Sequence, residues 1–290
     1  MTSPLISPEA LADRLGDPRL RIVDLRWYLG KPGAGRAAYD EGHLPGAIHL
    51  DLDRDLAAHP GPGRHPLPTP AAFAAHMAEV GIGDGDTVVG YDDVGGWVAA
   101  RLWWMLDNLG FPDAFVLDGG IKAWAAAGLP MAADAVDWPA AARLTLGDRW
   151  TKVVERDELR DRLGSVTLID ARAAPRYRGE VEPVDSYPGH IPTARNRPTD
   201  ANLGPDGRFR SPEELHAQLA PMFEEGEVVT SCGSGTSAAH HILATRAAGL
   251  PDPILYVGSY SDWSRSGYPV STGAEAGEPE EAWPEGHRPS

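Results

Sequence analysis

Short apolar runs alternate with segments of helical spacing along the chain. Leu20 to Leu25, Thr87 to Tyr91 and Ala114 to Leu117 are such runs, each followed by a stretch with helical periodicity, as in Trp97 to Leu109. Brief apolar runs without polar alternation predict strands buried on both faces, and the intervening helices make them parallel. The pattern therefore predicts an α/β protein. Function in such sheets sits at the carboxyl ends of the strands, so the residues that close each run carry the most interest.

The pattern also repeats once. Val23-Asp24-Leu25-Arg26 returns as Ile169-Asp170-Ala171-Arg172, and Gly42-His43-Leu44-Pro45 as Gly189-His190-Ile191-Pro192. Val88-Val89 returns as Val228-Val229, and the Gly119/Trp124 pair as Gly258/Trp263. Four motifs in one order at a nearly constant offset indicate a duplicated domain rather than a short solenoid repeat. The expected organisation is an amino-terminal domain over 1–133, a linker over 134–148, a carboxy-terminal domain over 149–271 and an acidic tail over 272–290. The stretch 131–148, rich in alanine with Trp138 and Pro139, reads as the linker; Gly273 to Glu281 reads as loosely ordered.

Composition narrows the chemistry. The 290 residues carry 26 Lys and Arg against 42 Asp and Glu, a formal net charge of −16. Phosphate backbones need a basic patch, so nucleic acid is disfavoured as a partner. No run approaches the roughly 20 apolar residues of a membrane helix, which argues against a membrane partner, and the first residues lack a basic start and long apolar core of a secretory signal. With one cysteine the chain forms no internal disulfide and no cysteine-built zinc site, and cytoplasm is the expected location. No cofactor or metal motif is present.

The one cysteine stands where the pattern directs attention. Val228-Val229-Thr230-Ser231 runs into Cys232-Gly233-Ser234-Gly235-Thr236-Ser237, and a helix-like stretch, Ala239 to Ala248, follows. Two glycines let successive N–H groups turn towards one centre, and a following helix adds its positive N-terminal end; both favour a thiolate, the reactive form of Cys232. A cysteine phosphatase would need an arginine six positions on, where Ala238 stands. Acyl transfer needs an adjacent base; His240 and His241 lie along the helix, turned from its own N-terminal loop, and read as surface residues. Sulfur transfer needs neither device, because the leaving group departs as a stable anion.

These residues together resemble the rhodanese family. Tyr39 with His43-Leu44-Pro45-Gly46-Ala47, Arg64-His65-Pro66-Leu67-Pro68, Leu117-Asp118-Gly119-Gly120, the Asp-x-Arg pairs and the cysteine loop match its motifs from about Leu20 to Trp263. The duplicated form is similar to its tandem members, the thiosulfate and 3-mercaptopyruvate sulfurtransferases. The resemblance implies two tandem rhodanese-like domains, each a mostly parallel sheet flanked by helices, with Cys232 carrying a persulfide in the second. Aligning the Val-Val pairs sets Asp92 opposite Cys232, so the first copy is expected to be non-catalytic.

It further implies that Arg176 binds an anionic donor, that Gly233, Ser234, Gly235, Thr236 and Ser237 line the donor and persulfide site, and that Asp170 and Arg172 support the loop. An internal ion pair with Asp170 is the expected role of Arg172. His43 and His190 recur in both copies, which points to a shared structural role. The loop resembles the Cys-Gly-Ser-Gly-Val-Thr-Ala loop of mercaptopyruvate enzymes more than the basic Cys-Arg-Lys-Gly of thiosulfate enzymes, favouring 3-mercaptopyruvate over thiosulfate. The family's second substrate arginine is replaced by Val184 after Glu182-Pro183, which leaves Arg195 or Arg197 as candidates for that charge. A thiol, small or thioredoxin-like, or cyanide is the expected acceptor. The alternative is a non-catalytic persulfide carrier or redox-sensing module.

Overall fold

The computed structural model describes residues 3–141 and 143–280, and these divide into two compact units. The first holds a five-stranded parallel sheet made of β1 (Leu5–Ile6), β2 (Leu20–Asp24), β3 (Ala47–His49), β4 (Thr87–Tyr91) and β5 (Ala114–Leu117), ordered β1-β5-β4-β2-β3. The second repeats it with β6 (Val153–Val154), β7 (Thr167–Asp170), β8 (Arg195–Asn196), β9 (Val228–Ser231) and β10 (Ile254–Tyr256), ordered β6-β10-β9-β7-β8. The α/β architecture anticipated from the apolar runs is the observed one. β4 and β9 occupy the middle of their sheets and are buried along their whole length, which is why they read as unbroken apolar runs.

The repeat extends to packing. Trp124 and Trp263 are each fully buried, and their indole N–H groups donate to Pro130 and Pro269 carbonyls at 2.8 Å. The His43 imidazole stacks on Tyr39 with Nδ1 at 2.9 Å from the Tyr39 carbonyl; His190 stacks on Tyr177 with Nδ1 at 2.8 Å from the Tyr177 carbonyl. Each histidine also bridges its strand-like neighbour, Ala132 or Ser271, through paired backbone bonds. Both histidines thus fix a chain crossing, the structural role expected of them.

Two short segments belong to the unit opposite the half of the sequence in which they lie. His59–Pro66 packs into the second unit and Leu203–Phe209 into the first. Gly63 makes the former possible: with φ +73, a Cβ there would lie 2.5 Å from the Gly258 carbonyl and 2.9 Å from Ser261 Oγ. In the latter, the Phe209 N–H donates to Asp118 at 2.8 Å.

Two expectations are corrected. The acidic tail is not loose where described: Gly273 donates to the Arg178 carbonyl and Thr193 to the Ala276 carbonyl, so 273–276 is tied to the second unit. Residues 281–290 of that tail lie outside the described residues. His240 and His241 are not surface residues; both are buried in the helix Thr236–Ala247, at 0% and 1% exposure. Burial pushes His241 down to about 3, keeping the ring neutral.

Candidate functional site

β9 ends at Ser231 and delivers Cys232 to the carboxyl edge of the second sheet. Cys232 is 2% exposed. Its loop is held from the next crossover. The Cys232 N–H donates to Ser259 Oγ at 3.1 Å, and Tyr260 and Ser261 N–H groups return bonds to the Cys232 and Gly233 carbonyls at 2.9 Å. The Ser234 N–H lies 3.4 Å from Sγ. Gly235 turns the chain with φ +77 into the helix Thr236–Ala247, and Ser237 sits half-buried in its first turn.

Asp170 and Arg172 lie on the neighbouring strand β7 and just beyond it. Arg172 forks onto Asp170 through Nε and Nη2 at 3.0 and 2.8 Å, donates to the Gly189 carbonyl at 2.6 Å, and lies over the Tyr260 ring at 3.9 Å. It is an internal ion pair, as anticipated. Arg176 stands differently: 21% exposed, its Nη2 meets Glu182 at 2.8 Å and Asp185 at 2.9 Å. Although burial opposes it, the Asp185 and Val184 backbone N–H groups and Arg176 hold the Glu182 carboxyl below its usual range.

The two candidates for the charge missing at Val184 are both engaged with neighbouring side chains. Arg195 pairs with Glu225, and Arg197 donates to Asn202 and Gln218. Arg64, on the His59–Pro66 segment, lies against Asp185. Its Nη1 bonds the other oxygen of Asp185, and its Nη2 lies 2.6 Å from where a Cβ on Gly233 would stand, with Arg176 Nη1 at 3.5 Å. A side chain at position 233 would therefore crowd the Arg64 guanidinium.

The sequence reading also missed His65 and Ser259. His65 Nδ1 is 2.7 Å from Ser234 Oγ and 3.4 Å from Thr236 Oγ1, with the ring 4% exposed. A signal for it existed: Gly63-Arg64-His65 returns in the second copy as Gly207-Arg208-Phe209, with the histidine in one copy alone. Ser259 holds φ +51, costly for a residue with a Cβ, and donates to the Tyr256 carbonyl while accepting from Cys232.

Among the described residues no cluster of three or more His, Cys, Asp or Glu is arranged to hold a metal. The first unit contains a cavity of about 370 Å³ lined by Arg36, Arg54, Asp55, His76 and Trp138. Within it Asp55 holds both Arg54 and His76, and Arg36 pairs with Asp40.

The model of the rhodanese-like domain matches the chain twice, over residues 7–127 and 155–266. The chain belongs to the rhodanese family. It is a sulfurtransferase, and its relatives carry that activity in their names. It is 42% identical over 284 residues to a probable 3-mercaptopyruvate sulfurtransferase of Pseudomonas aeruginosa, covering 93% of this chain and 98% of that one. It is 40% identical over 273 residues to a putative thiosulfate sulfurtransferase of Mycobacterium tuberculosis, covering 90% and 93%. Among solved structures, the 3-mercaptopyruvate sulfurtransferase from Leishmania major superposes with a TM-score of 0.79 at 34% identity, covering 90% of this chain and 74% of that one.

Proposed function

We propose that the chain takes the sulfur of 3-mercaptopyruvate, ahead of thiosulfate, onto Cys232 as a persulfide and passes it to a thiol acceptor in the cytoplasm. The observation that carries this reading is the Ser234–His65 pair, 2.7 Å apart beside the sulfur. Thiosulfate leaves sulfite, which needs no proton. Mercaptopyruvate leaves the enolate of pyruvate, which does, and a hydroxyl backed by an imidazole provides a route for it.

In the forward step the Cys232 thiolate attacks the donor's sulfur. The S–S bond forms, the C–S bond breaks, and its electron pair passes into the enolate. The proton of the donor's own thiol moves through Ser234 and His65 to the enolate carbon, so that pyruvate departs and Cys232 holds an anionic persulfide. Arg176 binds the donor carboxylate, and N–H groups of Gly233, Ser234, Gly235, Thr236 and Ser237 face the anionic sulfur. Arg172, neutralised by Asp170, keeps the strand end and loop in place. An acceptor thiolate then attacks the outer sulfur and restores the Cys232 thiolate.

Steady-state turnover with 3-mercaptopyruvate and thiosulfate, with mass analysis of Cys232 after donor alone, tests the reading. The expected result is a one-sulfur gain on Cys232, a higher kcat/KM for 3-mercaptopyruvate, and no turnover in Cys232→Ser. An active serine variant would sink it, and loading that stops after one turnover with every small thiol would favour the carrier alternative.

A further inference from the structure

Asp185 is fully buried as a side chain and sets one oxygen on Arg64 and the other on Arg176. Those two guanidiniums converge on Gly233, the residue after Cys232. A carboxylate bridging two arginine forks next to a nucleophile has the contacts that a donor's carboxylate would need. We propose that Arg64 is the second donor-binding arginine, and that Asp185 occupies the donor carboxylate's place in the free enzyme and yields it on binding. The proposal rests on the mercaptopyruvate reading above.

Charge decides which donors such an exchange admits. Arg64, Arg172 and Arg176 face Asp170, Glu182 and Asp185, three cations against three anions. A monocarboxylate that replaces Asp185 leaves the charge around the pair unchanged, whereas thiosulfate, a dianion, adds one negative charge in a buried setting. Burial also raises the Asp185 carboxyl above its usual range against the pull of Arg64. Glu182, by contrast, is pinned by two backbone N–H groups as well as by Arg176, and keeps its place.

The experiment measures KM and kcat for 3-mercaptopyruvate and thiosulfate, and Cys232 loading by polysulfide, a donor without a carboxylate. Arg64→Ala is expected to raise KM for 3-mercaptopyruvate about tenfold or more, the scale of a lost charged hydrogen bond, while kcat stays within about threefold and polysulfide loading falls by a smaller factor. Arg64→Lys restores part of the KM. Gly233→Ala, which crowds the Arg64 guanidinium without removing a charge, raises the same KM about threefold. Asp185→Asn lowers the preference for 3-mercaptopyruvate over thiosulfate by about tenfold. If Arg64→Ala folds poorly, Arg64→Ala/Asp185→Asn removes the unpaired charge and still shows the raised KM. An unchanged KM in a folded Arg64 variant, or equal losses on polysulfide and 3-mercaptopyruvate, overturns the proposal and leaves the donor reading intact. A wild type that loads from polysulfide but not from 3-mercaptopyruvate overturns both.

Discussion

The loops that follow β4 and β9 are one design with two occupants. In the first unit Asp92 follows the central strand, fully buried, and its carboxylate accepts four N–H groups of its own loop: Val94, Gly96, Val98 and Ala99, at 2.8 to 3.0 Å. In the second, Cys232 follows the central strand, and the Ser234 N–H, at the position of Val94, points at its sulfur. The carbonyl after each strand accepts from the next crossover in the same way, Ile121 to Asp92 and Tyr260 to Cys232. Asp92 thus displays what such a loop does with an anion: it surrounds it with N–H groups. A persulfide sulfur, one atom beyond Sγ, would reach into the space that the aspartate carboxylate fills in its own copy. The first loop carries its carboxyl group permanently, while the cysteine loop leaves room for a transient anion.

The first way to break this comparison is to empty the first loop. Asp92→Ala orphans three buried N–H groups and the half-buried one of Val94, the buried ones costing about 1 kcal/mol or more each, so a loss of about 3 to 4 kcal/mol is expected by denaturant unfolding. Asp92→Asn keeps an acceptor for only part of the set and should fall between. Cys232→Ala leaves a single weak sulfur acceptor missing and should cost about 1 kcal/mol or less. Equal losses at the two positions would mean that the aspartate does not organise its loop, and the analogy would fail.

What the sequence disclosed followed from local physics. β4 and β5 were legible to the residue because buried parallel strands read as apolar runs, and Arg172 with Asp170 because two residues apart across a strand end puts fork and carboxylate together. The hidden parts are those joined over long separations. His65 meets Ser234 across 169 positions and Arg64 meets Asp185 across 121. A loop of glycine and proline has no periodicity that reveals which unit it enters, so nothing in the sequence near Arg64 links it to Asp185. His240 and His241 were misjudged for another reason: the helix Thr236–Ala247 buries polar residues together with apolar ones, and polarity then no longer marks the outside.

His241 gives the second, smaller test. It stands at the repeat position of Arg101, both fully enclosed in the helix after the loop, yet one can lose its charge and the other cannot. His241 titrates at about 3 when folded because of burial, below the ordinary histidine value of 6.5. As pH falls below about 6.5 the unfolded chain takes the proton first, so stability present above that pH drains away by about 1.4 kcal/mol per unit down to the folded value. Between pH 6.5 and 5 the loss from this residue is about 2 kcal/mol. His190, also lowered by burial, adds to it in the same direction. His241→Leu should flatten the pH dependence of Tm over that range and leave the remainder to His190; an unaltered slope would show that the ring is protonated in place.

The smallest effect concerns the crossover that backs each loop. Gly120 and Ser259 occupy the same position with φ +58 and +51. In the first unit a Cβ would strike the Asp92 carbonyl, so glycine is required. In the second a serine sits in that left-handed conformation, at a cost of about 1 kcal/mol, and its hydroxyl accepts from the Cys232 N–H. The strain places an acceptor where the silent copy has none, and its use is to fix the first amide of the cysteine loop. Ser259→Gly removes strain and hydrogen bond together, so stability should change by less than about 0.5 kcal/mol. Ser259→Ala keeps the strain and leaves the Cys232 N–H unpaired, so it should lose about 1 kcal/mol. If the hydroxyl serves the loop, both variants lower kcat/KM by a similar factor, about threefold to tenfold, despite their different stabilities. Activity that follows stability instead, normal in Ser259→Gly and reduced in Ser259→Ala, would make Ser259 a residue of the fold and not of the loop.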